Sequence, residues 1–195
     1  MTKAESTRKE ILQRSFSLIY ANGYQATSID QIISTTEVTK GAFFYHFRNK
    51  DEMGLAVIRE VMKPGMSSAW IRPLTETVDP LTAIYDMMEE VLLRNRLFDV
   101  KYGCPAMNLA EEMSPVSPRF RTALSELLDE WQAALEKSIS RAKKSKMIRT
   151  DVNAREVAMY VTGGYAGARI MGKLYGRDAY KGYLRQLKNY LGSMR

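Results

Sequence analysis

The chain carries a single cysteine and a single histidine among its 195 residues. Cys104 therefore has no partner for an intramolecular disulfide. One Cys and one His are also too few to build a structural zinc site from protein ligands, which takes about four. No phosphate-binding glycine loop, assembled nucleophile or metal cluster can be read along the chain. An enzyme built on a helical bundle is thus a distant alternative, and no cofactor is expected. Apolar runs are short, none approaching the roughly 18 residues that span a bilayer, so no membrane partner is expected. The opening MTKAESTRKEIL has no apolar core of a secretory leader, which predicts a cytoplasmic protein. Alternating apolar patterns, repeats and low-complexity segments are missing too, which leaves little room for a sheet.

What is present is helical periodicity over a sequence that is 45% hydrophobic, enough for one substantial core or a small module joined to a larger one. The class is all-α. The formal charge of +7 suggests nucleic acid, since Lys and Arg neutralise phosphates and release counterions. Yet residues 1–60 hold eight basic and seven acidic side chains, a net of +1. The useful signal is local: Lys40, Arg48 and Lys50, with His46, fall in a stretch from Val38 to Lys50 without an acid.

A first helix is predicted from about Glu5 to Asn22, with Ile11, Leu12, Ser15, Phe16, Ile19 and Tyr20 on its apolar stripe and Gly23 ending it. A second starts at Thr27 or Ser28, a third at Thr39 and runs through Phe47, and a fourth at Asn49, with Glu52 completing an approximate capping box. Pro64, Gly65, Pro73 and Pro80 mark residues 63–79 as a broken connection. Beyond it, helices are expected at about 80–98, 105–113, 118–144, 153–175 and 178–191, three of them opening with proline at the first turn. The expected functional division is residues 1–48 for DNA binding and 49–195 for ligand binding and dimerisation, with the helix from Asn49 linking the two.

Two short helices joined by a tight turn make a helix-turn-helix, whose second member fits a major groove about 12 Å wide. From Thr7 to Ile58 the chain closely resembles the N-terminal domain of the tetracycline-repressor (TetR) family. The matching pieces are the helix ending in NGY, the TSIDQI opening, VTKG, and FYHFRNKDE. The resemblance implies that Thr27 and Ser28 clamp a phosphate at a helix N-terminus. It further implies that Thr39 and Lys40 open the recognition helix, that Gly41 lets the backbone approach DNA, that Tyr45 and His46 contact DNA, and that Lys50 binds phosphate. Phe43 and Phe47 should face the core. Ala42 and Phe44 replace the family's usual hydroxyl residues and offer only apolar contact, for instance to a thymine methyl. Glu37 stands where the family's turn usually has Gly, so either a non-glycine residue takes a left-handed conformation or the turn differs locally.

For the remainder of the chain the resemblance implies an inducer site between helices, with Trp70, Phe98, Tyr102, Cys104, Met107, Trp131 and Tyr165 as candidate lining. The 12 methionines suit an adaptable pocket or simple core filling. GCPAMNLAEEMS resembles the G-C-x-x-x-N-x-x-x-E segment of a subgroup that includes regulators of electrophile and reactive-chlorine responses. Cys104 is accordingly either a reactive switch or a small buried hydrophobe. The last two helices are expected to pair with their symmetry mates, through Gly163, Gly164, Gly167, Tyr180, Tyr183, Leu184, Leu187 and Leu191; intrachain packing is the alternative reading of the glycines. The implied partners are double-stranded operator DNA, a small-molecule inducer and a second copy of the chain. The implied function is a repressor released from a palindromic operator by a small apolar or electrophilic inducer, with an activator or architectural DNA binder of the same fold as the alternative.

Overall fold

The computed structural model describes residues 2–75, 77, 79–95 and 98–195. Among them every regular element is helical. Helices α1 (Lys3–Asn22), α2 (Ile29–Ser34), α3 (Lys40–His46) and α4 (Lys50–Ala56) open the chain. Their starts follow from local hydrogen bonds: Thr2, Ser28, Thr39 and Asn49 each accept a backbone N–H from the first turn, satisfying donors that a helix leaves unpaired. Asn49 takes the Glu52 N–H at 2.8 Å, and the Glu52 carboxylate reaches the Arg48 N–H rather than that of Asn49. Gly23 ends α1 at φ +91°, where a side chain would be strained.

The expected break at residues 63–79 is corrected over residues 63–75, while Thr77 and Asp79 are non-helical as expected. Helical bonding continues through α5 (Lys63–Met66) and α6 (Arg72–Thr75), joined by π-helical stretches at Val57–Met62 and Ser67–Ile71. The N–H of Lys63 bonds to Ile58 O and that of Arg72 to Ser67 O, in each case five residues back and one residue before a proline. A proline in an ordinary α-helix loses a hydrogen bond and crowds the carbonyl four residues earlier. Widening the coil ahead of Pro64 and Pro73 shifts the ladder where no N–H is available, so the helix survives.

Helices α7 (Pro80–Glu89), α8 (Pro105–Met113), α9 (Pro118–Lys144), α10 (Ala154–Tyr175) and α11 (Arg177–Gly192) follow. A third π-helical stretch, Glu90–Arg94, extends α7 and ends at Arg94, with Asn95 extended, so the helix expected to run to about Phe98 stops earlier.

The chain divides into two compact units, Met1–Gly65 with Pro105–Glu126, and Met66–Cys104 with Leu127–Arg195. In the first unit Ile11, Leu12, Ile19, Ile32, Phe43, Phe47, Met53 and Ile58 are buried together with Leu109, Met113 and Phe120. In the second, Trp70, Leu74, Ile84, Met88, Trp131, Leu135, Ile139, Val161, Tyr165 and Tyr180 form the core.

Candidate nucleic-acid interface and effector site

Helix α3 presents two faces because its residues alternate around a 3.6-residue turn. Phe43 and Phe47 are 0% and 1% exposed, while Phe44 and Tyr45 are 44% and 78% exposed. Thr39, Lys40 and Gly41 lie at the exposed N-terminal end of this helix, and Ala42 and His46 are half-buried. A Cβ built on Gly41 would meet only the Thr39 hydroxyl, at 4.0 Å. The fold itself therefore does not require glycine there.

The turn before α3 settles the question raised by Glu37. Lys146 is the only non-glycine residue with positive φ among the described residues, so Glu37 is not left-handed. Instead the Thr35 and Thr36 hydroxyls donate to Ile32 O and Ile33 O, both at 2.9 Å, and the Val38 N–H reaches Thr36 Oγ1 at 3.3 Å. Side-chain oxygens thus organise this turn without glycine.

Several of the expected contact residues are already engaged within the protein. Thr27 is buried and its hydroxyl donates to Gly23 O at 2.7 Å, whereas Ser28 is exposed and caps α2 through the Gln31 N–H. Lys50 donates to Tyr24 O, Gln25 O and Thr27 O at 2.9, 3.3 and 2.9 Å, and its ammonium lies 4.5 Å from the Tyr24 ring centre. Burial lowers its pKa, an effect opposed by Asp51 and Glu112. Lys40 pairs with Asp30 at 2.9 Å, but both side chains are largely exposed, and such a pair is worth little and gives way easily.

The sequence reading did not single out what holds the loop between α1 and α2. Glu112, from α8, accepts the N–H groups of Tyr24 and Gln25 at 2.8 and 2.7 Å. Tyr24 in turn donates its hydroxyl to Asp51 at 2.5 Å. Arg8 is a second unforeseen brace: it forms a two-point pair with Glu60 at 3.1 and 2.6 Å, donates to His46 O, and sits 4.4 Å from the Phe47 ring centre. Burial, with Arg8 nearby, lowers the His46 pKa from its usual 6.5.

In the second unit Trp70, Trp131 and Tyr165 pack edge to face, with centroid distances of 4.4 Å for Trp70–Trp131, 4.5 Å for Trp70–Tyr165 and 5.5 Å for Trp131–Tyr165. Cys104 is buried in the same unit, close enough to Tyr165 to influence its hydroxyl. Burial, followed by Cys104, raises the Tyr165 pKa well above its usual value. Phe98 joins through Arg169, whose guanidinium lies 5.5 Å from its ring centre. Tyr102 stacks under Lys101 instead, and Met107 lies in the first unit.

Arg169 was missed, although the sequence signals it as the one charge between Val157 and Gly172. It is 2% exposed and donates to Tyr165 Oη at 2.9 Å, Tyr180 Oη at 3.4 Å and Val91 O at 2.9 Å. Burial opposes its charge, but Tyr165, Cys104 and Tyr180 outweigh that and raise its pKa.

Of the expected pairing residues, Tyr180, Leu184, Leu187 and Leu191 are buried inside their own chain, and a Cβ on Gly164 would strike Tyr183 at 2.6 Å. Gly163 and Gly167 are open. They lie on a face of α10 that also exposes Met159, Tyr160, Ile170, Met171, Leu174 and Tyr175, which the sequence reading had not named.

Comparison with known proteins agrees with this geometry. Residues 11–57 match the family described as bacterial regulatory proteins, tetR family, and residues 77–187 match the tetracyclin repressor-like C-terminal domain. An HTH-type transcriptional regulator from the lacX 3′ region of Lactococcus lactis subsp. lactis is 32% identical over 135 residues, 69% of each chain. The HTH-type transcriptional repressor DhaR of Mycobacterium sp. (strain GP1) is 22% identical, covering 86% of this chain and 82% of its own. The crystal structure of a TetR-family transcriptional regulator from Cytophaga hutchinsonii superimposes with a TM-score of 0.88 at 20% identity, covering 100% of this chain and 98% of that one. No helix among the described residues is long and apolar enough to cross a membrane.

Proposed function

The chain belongs to the TetR family of DNA-binding transcriptional regulators, and from that premise we propose that it is a cytoplasmic homodimer that represses transcription from a palindromic operator until a small apolar or electrophilic effector releases it. The family comprises regulators rather than enzymes, and no catalytic role is assigned to any residue. The observation that carries the proposal is the outward face of α3, where Thr39, Lys40, Gly41, Phe44 and Tyr45 are exposed while Phe43 and Phe47 lock the helix to its core.

In the proposed complex residues 1–48 read DNA and residues 49–195 bind the effector and pair the chains. Ser28, Thr39 and Lys40 hold phosphates, the last by exchanging Asp30 for the DNA backbone. Gly41 and Ala42 allow close approach, and Phe44, Tyr45 and His46 face the groove. Thr27 and Lys50 hold the loop from which Ser28 projects, so their part is positioning. Two recognition helices about 34–36 Å apart then meet successive major-groove faces of a two-fold site.

The effector is proposed to act on the cluster of Trp70, Phe98, Cys104, Trp131 and Tyr165, with GCPAMNLAEEMS as the link. The chain passes from one compact unit into the other between Cys104 and Pro105, where α8, which carries Glu112, begins. A shift at Cys104 is thereby passed through one short helix to the loop that Glu112 grips. A coupling of about 1–3 kcal/mol would lower operator affinity about 5- to 150-fold. Selection of bound duplexes from a random library tests the reading: a palindromic consensus is expected, and no preference for any duplex at moderate salt overturns it.

A further inference from the structure

Arg169 is a cation buried without an anion. It is 2% exposed and makes no ion pair with a carboxylate among the described residues; its three acceptors, Tyr165 Oη, Tyr180 Oη and Val91 O, are all neutral. A guanidinium carries five N–H donors in a planar fork. Those three bonds leave part of the fork unused. The faces of Phe98, Tyr165 and Tyr180, at 5.2 to 5.5 Å, supply the remaining compensation. Removing such a charge from water is costly, so an arginine held here without a counterion among the described residues calls for a reason.

A second donor lies in the same cluster. Trp131 Nε1 is buried, its residue 1% exposed, with no hydrogen-bond partner. Its ring packs edge to face on Tyr165, the residue that Arg169 also grips. The polar inventory of the cluster is thus one full positive charge, one orphan indole N–H, and hydroxyl and thiol groups able to turn either way. Donors are in excess, and no acceptor that would complete them stands among the described residues.

We propose that Arg169 anchors the carboxylate of a small organic monoacid, whose second oxygen or adjoining acceptor takes the Trp131 N–H and whose apolar body replaces aromatic contacts around Trp70 and Tyr165. The proposal deepens the effector-controlled reading above and rests on it. A carboxylate fits better than a phosphate because its single charge balances one guanidinium and its two oxygens match a planar fork. A dianionic phosphate would bring a second charge that no other cation among the described residues of the cluster balances. Trp70, Trp131, Tyr165 and Arg169 are all buried, so entry must part the rings around Arg169. A ligand that binds only the parted state shifts the equilibrium toward it, as an effector must.

The test uses the full-length protein and a defined series: acetate, propionate, butyrate, hexanoate and benzoate, each beside its uncharged amide. Tryptophan fluorescence is a direct readout, because Trp70 and Trp131, the only two tryptophans, both sit in the cluster. Thermal melting gives a second one. At least one acid is expected to change the emission and raise Tm, with its amide ineffective. Arg169→Met, which replaces the charge with an apolar chain of similar length, should weaken that acid roughly 10- to 100-fold. Arg169→Lys, which keeps the charge but loses the fork, and Trp131→Phe, which removes only the orphan N–H, should weaken it less. Operator binding without acid, measured in parallel, should remain in all three variants. If the wild-type protein binds its operator but none of the acids acts at millimolar concentration, or if acids and amides act alike, the proposal is overturned while the regulator reading stands. If the wild-type protein binds no operator at all, it is the regulator reading that fails.

Discussion

Glu112 and Tyr24 lie 88 residues apart in sequence and are joined by a 2.8 Å hydrogen bond from the Tyr24 amide to the Glu112 carboxylate. The other carboxylate oxygen takes the Gln25 N–H at 2.7 Å, while Lys50 holds the carbonyls of Tyr24, Gln25 and Thr27. One acid and one base thus secure the donors and acceptors of the same loop. Replacing Glu112 with Ala leaves two amides unpaired, at a cost of about 1–3 kcal/mol for each that stays buried. Glu112→Ala is expected to lower Tm and to speed hydrogen exchange at the Tyr24 and Gln25 amides specifically. Uniform exchange across the chain would show instead that Glu112 holds no particular loop.

Gly41 separates the demands of fold and function. Nothing but the Thr39 hydroxyl stands near the space a methyl would fill, and Ala is favoured over Gly within a helix by about 1 kcal/mol. Gly41→Ala should therefore raise thermal stability slightly and yet weaken operator binding, because the added methyl lies on the face turned to DNA. A gel-shift titration beside a melting curve checks both signs. Unchanged operator affinity would remove Gly41 from the interface.

The His46 pKa is lowered by burial and by Arg8, so the folded protein binds this proton less readily than the unfolded chain. Its contribution to stability is therefore intact above the ordinary histidine pKa of 6.5 and is lost progressively as pH falls from there through the lower folded value. A nearby phosphate acts in the opposite direction, since DNA favours the protonated ring. Operator affinity should accordingly rise between about pH 8 and pH 6 in wild type more than in His46→Gln. Fluorescence anisotropy with labelled duplex measures this, and parallel pH profiles would place His46 away from phosphate.

Helix starts were the part of the fold most legible in the sequence, because a cap is a local event: Ser28, Thr39 and Asn49, and prolines 80, 105 and 118, all begin helices as expected. The long helical run across Pro64 and Pro73 was not legible, since proline reads as a stop and the π register that absorbs it leaves no residue signature. The outward and inward aromatics of FFYHF separated correctly at Phe43 and Phe47 because the helical period fixes them. Arg169, and the loop-holding role of Glu112, the acid of the quoted G-C-x-x-x-N-x-x-x-E segment, escaped for a different reason. Their partners, Tyr180 and Val91 in one case and Tyr24 in the other, are brought to them only by tertiary packing.

Cys104 stands against the Tyr165 hydroxyl, and Arg169 lies close enough to feel it. Burial keeps reagents from the thiol, so alkylation requires the cluster to open. Under the proposed function Cys104→Ser should keep its operator affinity and lose release by a thiol-alkylating agent such as N-ethylmaleimide. Equal release of both proteins would leave Cys104 as a packed core residue.

The pairing surface can be tested by contrasting two rows of apolar residues. Leu187 and Leu191 of α11 are 1% and 3% exposed within one chain, whereas Leu174 and Tyr175 of α10 are 69% and 68% exposed. Met159, Gly163, Gly167, Ile170 and Leu174 recur at steps of three and four, which places them on one side of α10. An apolar stripe of that kind is costly to leave in water and suits a two-fold partner that presents the same stripe. Ile170→Glu combined with Leu174→Glu should yield a folded monomer by light scattering, with near-normal helicity. Its operator affinity should fall steeply, because one recognition helix then binds without its tethered twin. Leu187→Glu, by contrast, buries a charge within the chain and should lower Tm before it alters assembly. A dimer that survives the α10 double substitution would move the interface to another face.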